Sequence, residues 1–349
     1  MDASPLVTVI MPIRNEAAYI ARSLGAVLSQ DYPNECMEII VVDGMSDDST
    51  RAIVADMQAR CPQPQIYLLD NPARIVPTAL NIGLQRARGE VIIRVDGHCE
   101  IAPDYVRHCV ELLQKTGADN VGGMWITVGE TFVARAIALA QSSPFGIGNV
   151  AYRTQRLTSG YVDTVPFGAY PRSVFDRVGE FDESLTRHQD YEFNCRVRAA
   201  GGRIYYDPSV RSQYYSRATL RKLAQQYFEY GYWKAVVALR NPRALAWRHY
   251  APIALVLALG LGLPASFLSA PLRLMYGALW GLYACACVGA SLLACKAGGW
   301  RYLPLLPAAF ATIHLCWGSG FWWGVLSRLG TFRRTRSESR AGTWEQPRE

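Results

Sequence analysis

Residues 7–16 read VTVIMPIRNE and residues 37–50 read MEIIVVDGMSDDST. Each is a short, continuous apolar run rich in β-branched residues that stops at a polar turn. A run without alternation is the pattern of a strand buried on both faces. A helical pattern follows each turn, through Ile20, Leu24, Val27 and Leu28 after the first and over 50–59 after the second. The unit repeats, with a strand over 65–69, a helix over 77–86 and a strand over 91–95. Strands alternating with helices predict an α/β domain built on a parallel sheet.

Ligands of such sheets bind beyond the carboxyl ends of the strands. This chain places Arg14, Asn15 and Glu16 at one such end, residues 43–48 (DGMSDD) at a second and Asp96-Gly97-His98 at a third. No Gly-x-Gly-x-x-Gly and no Gly-x-x-x-x-Gly-Lys follows any of these strands, so dinucleotide and P-loop readings lose their support. Acids where a glycine cradle is usual suggest phosphates met through a divalent cation, hence a nucleotide diphosphate. Asp43 is read either as part of this site or as a turn and capping residue. Asp47 and Asp48 are read as caps of the following helix.

The chain has 349 residues, half of them hydrophobic and 19% charged, with a formal charge of +7. That composition excludes a disordered chain. Between 251 and 327 the formal charges are Arg273, Lys296 and Arg301 alone, and residues 328–349 hold six Arg against three Glu. The first 250 residues are therefore nearly balanced, which argues against nucleic acid as a partner and for a membrane. Asp2 and the lack of a basic stretch before an apolar one give no cleaved signal, so the first half is expected in the cytosol. Apolar segments over 250–270, 272–294 and 303–326 each approach the ~20 residues of a membrane-crossing helix. Three crossings would separate the Arg-rich tail from the first domain, against the positive-inside rule. Segment 303–326 is thus expected to be re-entrant or interfacial, broken at Pro304, Pro307 and Gly318-Ser319-Gly320. Residues 217–248 carry seven Lys or Arg against Glu229, interleaved with aromatics, and read as amphipathic helix along the bilayer surface.

With these residues in hand the chain resembles the inverting family 2 glycosyltransferases of the GT-A fold, and within them is similar to the succinoglycan-type ExoA glycosyltransferases. The resemblance rests on VTVIMPIRNE (7–16), VVDGMSDDST (41–50), VDGHCE (95–100), GADNVGG (117–123), VDTVPFG (162–168), HQDYE (188–192) and QYFEYGYWK (226–234). It implies a Rossmann-like nucleotide-diphospho-sugar transferase domain over 1–215, interfacial helices over 216–249, transmembrane helices over 250–327 and a basic tail over 328–349. Pro12, Glu16, Asp43 and Arg74 are implied in binding the uridine moiety and diphosphate. Asp96, at the first position of the family's Asp-x-Asp motif, is implied in holding the metal-diphosphate complex and donor sugar. Asp190 falls at the position of the catalytic base.

Inversion needs one base for the acceptor hydroxyl and charge stabilisation for the departing diphosphate. Asp190 is read as that base or as a cap of the helix after it. Asp163 is read either as positioning the acceptor or as stabilising its turn, and the resemblance implies Gln226, Trp233 and Lys234 near the acceptor. The implied function is transfer of a hexose, glucose from UDP-glucose, to a polyprenyl-diphosphate-linked sugar during bacterial exopolysaccharide synthesis. The setting is the cell inner membrane, multi-pass, with the catalytic domain cytoplasmic and membrane lipid as a partner. Two alternatives stand beside it: transfer to polyprenyl phosphate, and a silent nucleotide-sugar-binding scaffold motivated by His98 and Gln189, which replace acids of the family pattern. His98 is read either as a metal ligand or as a hydrogen-bonding residue. An imidazole ligand suits Mn²⁺ better than Mg²⁺, so activity at saturating metal is predicted to be higher with Mn²⁺. Equal activity with the two ions removes His98 from the ligand set.

Overall fold

The structure, a computed structural model, describes residues 4–341, with side chains through Arg328. The end of the predicted tail, 342–349, lies outside the described residues. The chain opens with β1 (Val7–Ile13), α1 (Ile20–Leu28), β2 (Met37–Asp43), α2 (Thr50–Arg60), β3 (Gln65–Asp70), α3 (Val76–Arg86) and β4 (Val91–Arg94). It continues with β5 (Cys99–Ile101), α4 (Tyr105–Thr116), β6 (Asn120–Val128), α5 (Phe132–Gln141), α6 (Pro144–Ile147), β7 (Gly160–Tyr161) and β8 (Ala169–Pro171). Then follow α7 (Ser173–Val178), α8 (Gln189–Ala199), β9 (Ile204–Tyr215), α9 (Leu220–Arg240), α10 (Tyr250–Ala265), α11 (Ala270–Gly298) and α12 (Leu306–Ala341).

One sheet runs β3-β2-β1-β4-β8-β6-β9-β5, with β7 paired to β9. The first four strands are parallel, as their apolar runs predict, but the far half is mixed: β8 lies antiparallel to β4 and β6, and β5 and β7 are antiparallel to β9. Every residue of β1 and β2 is buried, and the period of two divides them between two cores. Val7, Val9, Met11 and Ile13 face α1, α2 and α4, whereas Ile10, Ile40 and Val42 face α3, α7 and α8. Because β2 and β3 lie on one side of β1 and β4 on the other, a crevice opens beyond the ends of β1 and β4. Arg14, Asn15 and Glu16 leave β1 at this point, and Asp96 and His98 follow β4.

A separate core joins α5, α9, α11 and α12, with Phe310, Ile313, Trp317 and Phe321 of α12 buried in it. Here the expectation for segment 303–326 needs correction: α12 is continuous from Leu306 and is unbroken at Gly318-Ser319-Gly320. Those glycines form a packing seam. A Cβ on Gly320 would lie 2.0 Å from the carbonyl oxygen of Phe228, and one on Gly231 would lie 1.9 Å from that of Trp317. Gly324 meets Tyr232 and Gly318 meets Pro252 in the same way. Small residues let helix backbones approach to this distance, and a side chain cannot be inserted between them. Helix α9 is accordingly half-embedded: Val236 and Val237 pack on Tyr191 and Cys195 of α8, while Gly231 faces α12.

Among the described residues two helices are long and apolar enough to cross a membrane, Trp247–Ala265 and Ala270–Gly298. Only 6% and 22% of their most apolar windows are buried, so they are not core helices of a soluble domain. Gly298, at the end of α11, returns against Leu139 of α5. The seam yields a prediction. Overpacking costs about 1–3 kcal/mol, so Gly320→Leu is expected to lower the thermal midpoint in detergent by at least about 3 °C. Gly281→Leu, where nothing lies within 4 Å, is expected to leave it unchanged, and equal behaviour of the two variants contradicts the seam.

Candidate active site

The crevice beyond β1 and β4 is the floor of a cavity of about 1110 Å³. Ligand pockets commonly measure roughly 300–1,000 Å³, so there is room for more than one small ligand. At one end it is lined by Pro12, Glu16, Gly44, Asn71 and Arg74, at its centre by Arg94, Asp96, His98 and Asp190, and at the far end by Lys234, Leu255 and Trp317. Four non-glycine residues of its lining hold positive φ: Asn15 (53°), Arg74 (62°), Phe167 (44°) and His188 (62°). Strained backbone of this kind gathers where surrounding packing over-determines a loop.

Asp96 is held by Arg94, the last residue of β4, through Nε to Oδ1 at 2.8 Å and Nη2 to Oδ2 at 3.1 Å. Glu16 and His98 tie the β1 and β4 loops together, with Nδ1 2.8 Å from Oε1. Burial disfavours the imidazolium, but the hydrogen bond and charge of Glu16 outweigh it and raise the His98 pKa to about 9. Asp190 lies in the first turn of α8, behind His188 in the left-handed conformation. Its Oδ1 accepts the Tyr191 N–H at 2.8 Å, satisfying one free N–H of the first turn, although the cap position itself is His188 and its side chain makes no cap bond. The charge of Asp190 acts on both Arg94 and Lys234. His188 Nε2–H donates to the Tyr230 carbonyl at 2.9 Å, and burial holds its pKa well below the ordinary value. Burial likewise brings the Lys234 pKa down to about 7.

Pro12, Glu16, Arg74, Asp96, His98, Asp190 and Lys234, all expected site residues, line this one cavity. Four other expected residues do not line it. Asp43 is fully buried and bonded to Ser46 N at 3.0 Å, Ser46 Oγ at 2.5 Å and Arg51 at 2.8 Å, so it shapes the 44–49 loop and leaves Gly44 to face the cavity. Asp163 is engaged by Arg248 at 2.5 Å. Gln226 donates to the hydroxyls of Tyr214 (3.2 Å) and Tyr230 (2.9 Å), positioning rings of the wall. Trp233 packs against Tyr232, because a helix turning ~100° per residue carries it off the face shared by Tyr227, Tyr230 and Lys234. Sequence reasoning also missed Arg94, Arg153 and Arg248. Arg94 had a readable signal, since it stands two residues before Asp96 and so on the same strand face. The other two sit in irregular segments whose course no periodicity gives.

A divalent cation fits this site only with ligand oxygens beside it. A carboxylate has about four lone-pair sites, of which Arg94 occupies two on Asp96, and His98, an imidazolium at neutral pH, offers Nε2 as a ligand only once it gives up its proton. Among the described residues no three His, Cys, Asp or Glu side chains converge. The remaining ligands then have to come from a diphosphate.

The model of the family "Glycosyl transferase family 2" matches residues 8–179. The chain is 32% identical over 331 residues to the succinoglycan biosynthesis protein ExoA of Rhizobium meliloti (strain 1021), covering 93% of this chain and 96% of that protein. It is 26% identical over 247 residues to a dolichyl N-acetyl-alpha-D-glucosaminyl phosphate 3-beta-D-2,3-diacetamido-2,3-dideoxy-beta-D-glucuronosyltransferase of Methanococcus voltae, covering 69% and 76%. Among solved structures, the mannosyltransferase PcManGT of Pyrobaculum calidifontis with GDP-Man and Mn²⁺ superposes with a TM-score of 0.61 at 20% identity, over 94% of this chain and 89% of that one. TarS 1–349 of S. aureus with UDP-GlcNAc gives 0.53 at 16%, over 93% and 92%. These two likenesses show the α/β GT-A-like fold.

The Glu16–His98 pair sets a pH dependence. A folded-state pKa of about 9 against an ordinary 6.5 gives stabilisation that is complete below pH 6.5 and lost as pH rises through 9. The difference in thermal midpoint between wild type and Glu16→Gln is expected to shrink over that interval, because the variant lacks the carboxylate that holds the proton. A difference that stays constant from pH 6 to 9.5 contradicts the pair.

Proposed function

The chain belongs to glycosyltransferase family 2, and on that premise we propose that it is a membrane-bound inverting enzyme moving a hexose from a UDP-sugar to a sugar carried on a polyprenyl diphosphate. It is a glycosyltransferase of glycan or exopolysaccharide synthesis; the donor, acceptor and membrane topology are our reading. The observation that carries it is the single cavity reaching from Glu16 and Arg74, past Asp96 and Asp190, to α10 and α12.

Each part of the cavity has a role in this reading. Pro12, Glu16, Asn71 and Arg74 receive the nucleotide, and Asp43 holds the loop beside them. Asp190 accepts the proton of the acceptor hydroxyl as that oxygen attacks the anomeric carbon from the face opposite the diphosphate. Arg94 and the charge it orders at Asp96 fix the position of the departing diphosphate. Asp96 is the residue that would hold a divalent cation, joined by His98 Nε2 only where the cation displaces its proton, and the cation when bound would offset charge on the leaving group. The relatives support the substrates: one acts in succinoglycan biosynthesis, another on a sugar joined to dolichyl phosphate, and a structural neighbour holds UDP-GlcNAc. Glucose as the sugar rests on the resemblance to the succinoglycan enzyme.

Topology follows the same reading. Helices α10 and α11 cross the bacterial inner membrane as a pair, and α12 runs along α9 at its cytoplasmic face. Two crossings return the chain to the side of the catalytic domain, which places the Arg-rich tail in the cytoplasm as the positive-inside rule requires. The reading is tested by Asp190→Asn, which keeps a side-chain oxygen for the Tyr191 N–H and removes the base. The expected result is a fall in kcat of at least ~10²-fold with UDP-sugar affinity unchanged within twofold. A smaller fall shows that Asp190 serves the helix alone, or that the acceptor is already an anion and needs no base.

A further inference from the structure

Two buried basic side chains of the cavity, Arg153 and Lys234, carry no carboxylate partner among the described residues. Arg153, on the loop after α6, is 7% exposed, and its Nη1 is buried with no hydrogen-bond partner. Its guanidinium lies 4.7 Å from the ring centroid of Trp125 and 5.7 Å from that of Tyr214. Lys234 is 2% exposed, with Nζ 3.0 Å from the ring centroid of Tyr191. Aromatic faces attract a cation but do not neutralise it. An arginine does not shed its proton in a protein, and a buried charge without a counter-ion is strongly disfavoured. Of the other cations in the cavity, Arg94 is paired with Asp96 and Arg248 with Asp163, whereas Arg217, half-buried near Tyr214 and Tyr230, has no carboxylate within 4 Å among the described residues. The arrangement thus asks for an anion from outside the chain.

The position of Arg153 indicates which anion. The nucleotide end has its own cations, Arg14 and Arg74. Arg153 instead sits among the hydroxyls of Tyr152, Tyr214, Tyr227 and Tyr230, against α9. From there the cavity continues into an apolar lobe lined by Phe145, Ile147, Leu255, Tyr283, Ile313 and Trp317. Those residues belong to α6, α10, α11 and α12, and the outer faces of α10 and α11 are exposed leucines and aromatics. An anion site that opens into an apolar lobe between candidate membrane helices matches a lipid phosphate.

We propose that Arg153 and Lys234 form a phosphate anchor for a membrane-anchored acceptor whose hydrocarbon chain occupies the lobe among α6, α10, α11 and α12. The proposal rests on the lipid-linked acceptor proposed above and assigns the residues that hold it. Arg153 is a binding residue in this account, and Asp190 keeps the chemistry.

The test uses the full chain in detergent micelles and measures binding by calorimetry, with farnesyl diphosphate as the lipid probe, inorganic diphosphate as the free anion and UDP as the donor-side probe. Wild type is expected to bind farnesyl diphosphate at least tenfold more tightly than inorganic diphosphate. Arg153→Met is expected to weaken farnesyl diphosphate at least tenfold and UDP less than twofold, and Arg153→Lys to recover part of the loss, which separates a lost charge from a misfolded loop. Equal affinity for the two diphosphates overturns the lobe as a chain site. An Arg153→Met variant that loses UDP as severely as farnesyl diphosphate assigns the anion to the donor and overturns the anchor, as does one that loses neither. Because none of these readouts needs turnover, Arg153-dependent lipid binding without sugar transfer supports the anchor and counts against the proposed function alone.

Discussion

Buried charge has to be matched, and in this protein that requirement organises the cavity. Arg94 is met by Asp96, and Arg248 by Asp163, each inside the fold. Arg153 and Lys234 lie against aromatic rings and have no carboxylate bonded to them among the described residues. The balance leaves the interior short of negative charge in a space large enough for a nucleotide sugar and a second ligand. In the proposed reaction diphosphates supply that deficit, one on each substrate. Among the described residues Asp190 is the cavity carboxylate bonded to neither an arginine nor a histidine, and in the proposed reaction it is the group that accepts the proton.

The fold delivers this arrangement through two junctions. At the first, strand order reverses between β1 and β4, and the Glu16–His98 bond spans the gap between their loops. At the second, glycines on α9 and α12 let two helices meet backbone to backbone. Helix α9 touches α8 on one side and α12 on the other, so the helix that begins beside Asp190 is mechanically joined to those that would enter the bilayer.

The first half of the fold was legible because burial on both faces leaves continuous apolar runs. Strands at 7–13, 37–43, 65–70 and 91–94 and the helices between them follow the sequence pattern to within a residue or two. The antiparallel far half was not, since β5, β7 and β8 are two or three residues long and leave no periodicity. The glycines at 318 and 320 were misread as breakers. Their signal is the same whether a helix ends or receives another helix, and only the partner, Gly231 and its neighbours on α9, distinguishes the two. Site residues on strand ends and at the start of α8 could be located from the motifs. Asp43 kept its place but not its direct contact, because Ser46 and Arg51 satisfy its oxygens first. Arg153 was invisible: one arginine in a polar loop has no pattern, and only its burial against Trp125 marks it.

The central claim is that donor and acceptor meet in one cavity at the membrane surface. Its most direct test is electron cryomicroscopy of the full chain in a lipid nanodisc with UDP and a farnesyl-diphosphate-linked sugar. The account predicts both diphosphates in the same cavity, with the acceptor sugar beside Asp190 and α10 and α11 within the disc. Ligands bound in separate cavities, or a cavity mouth facing away from the disc, would contradict it.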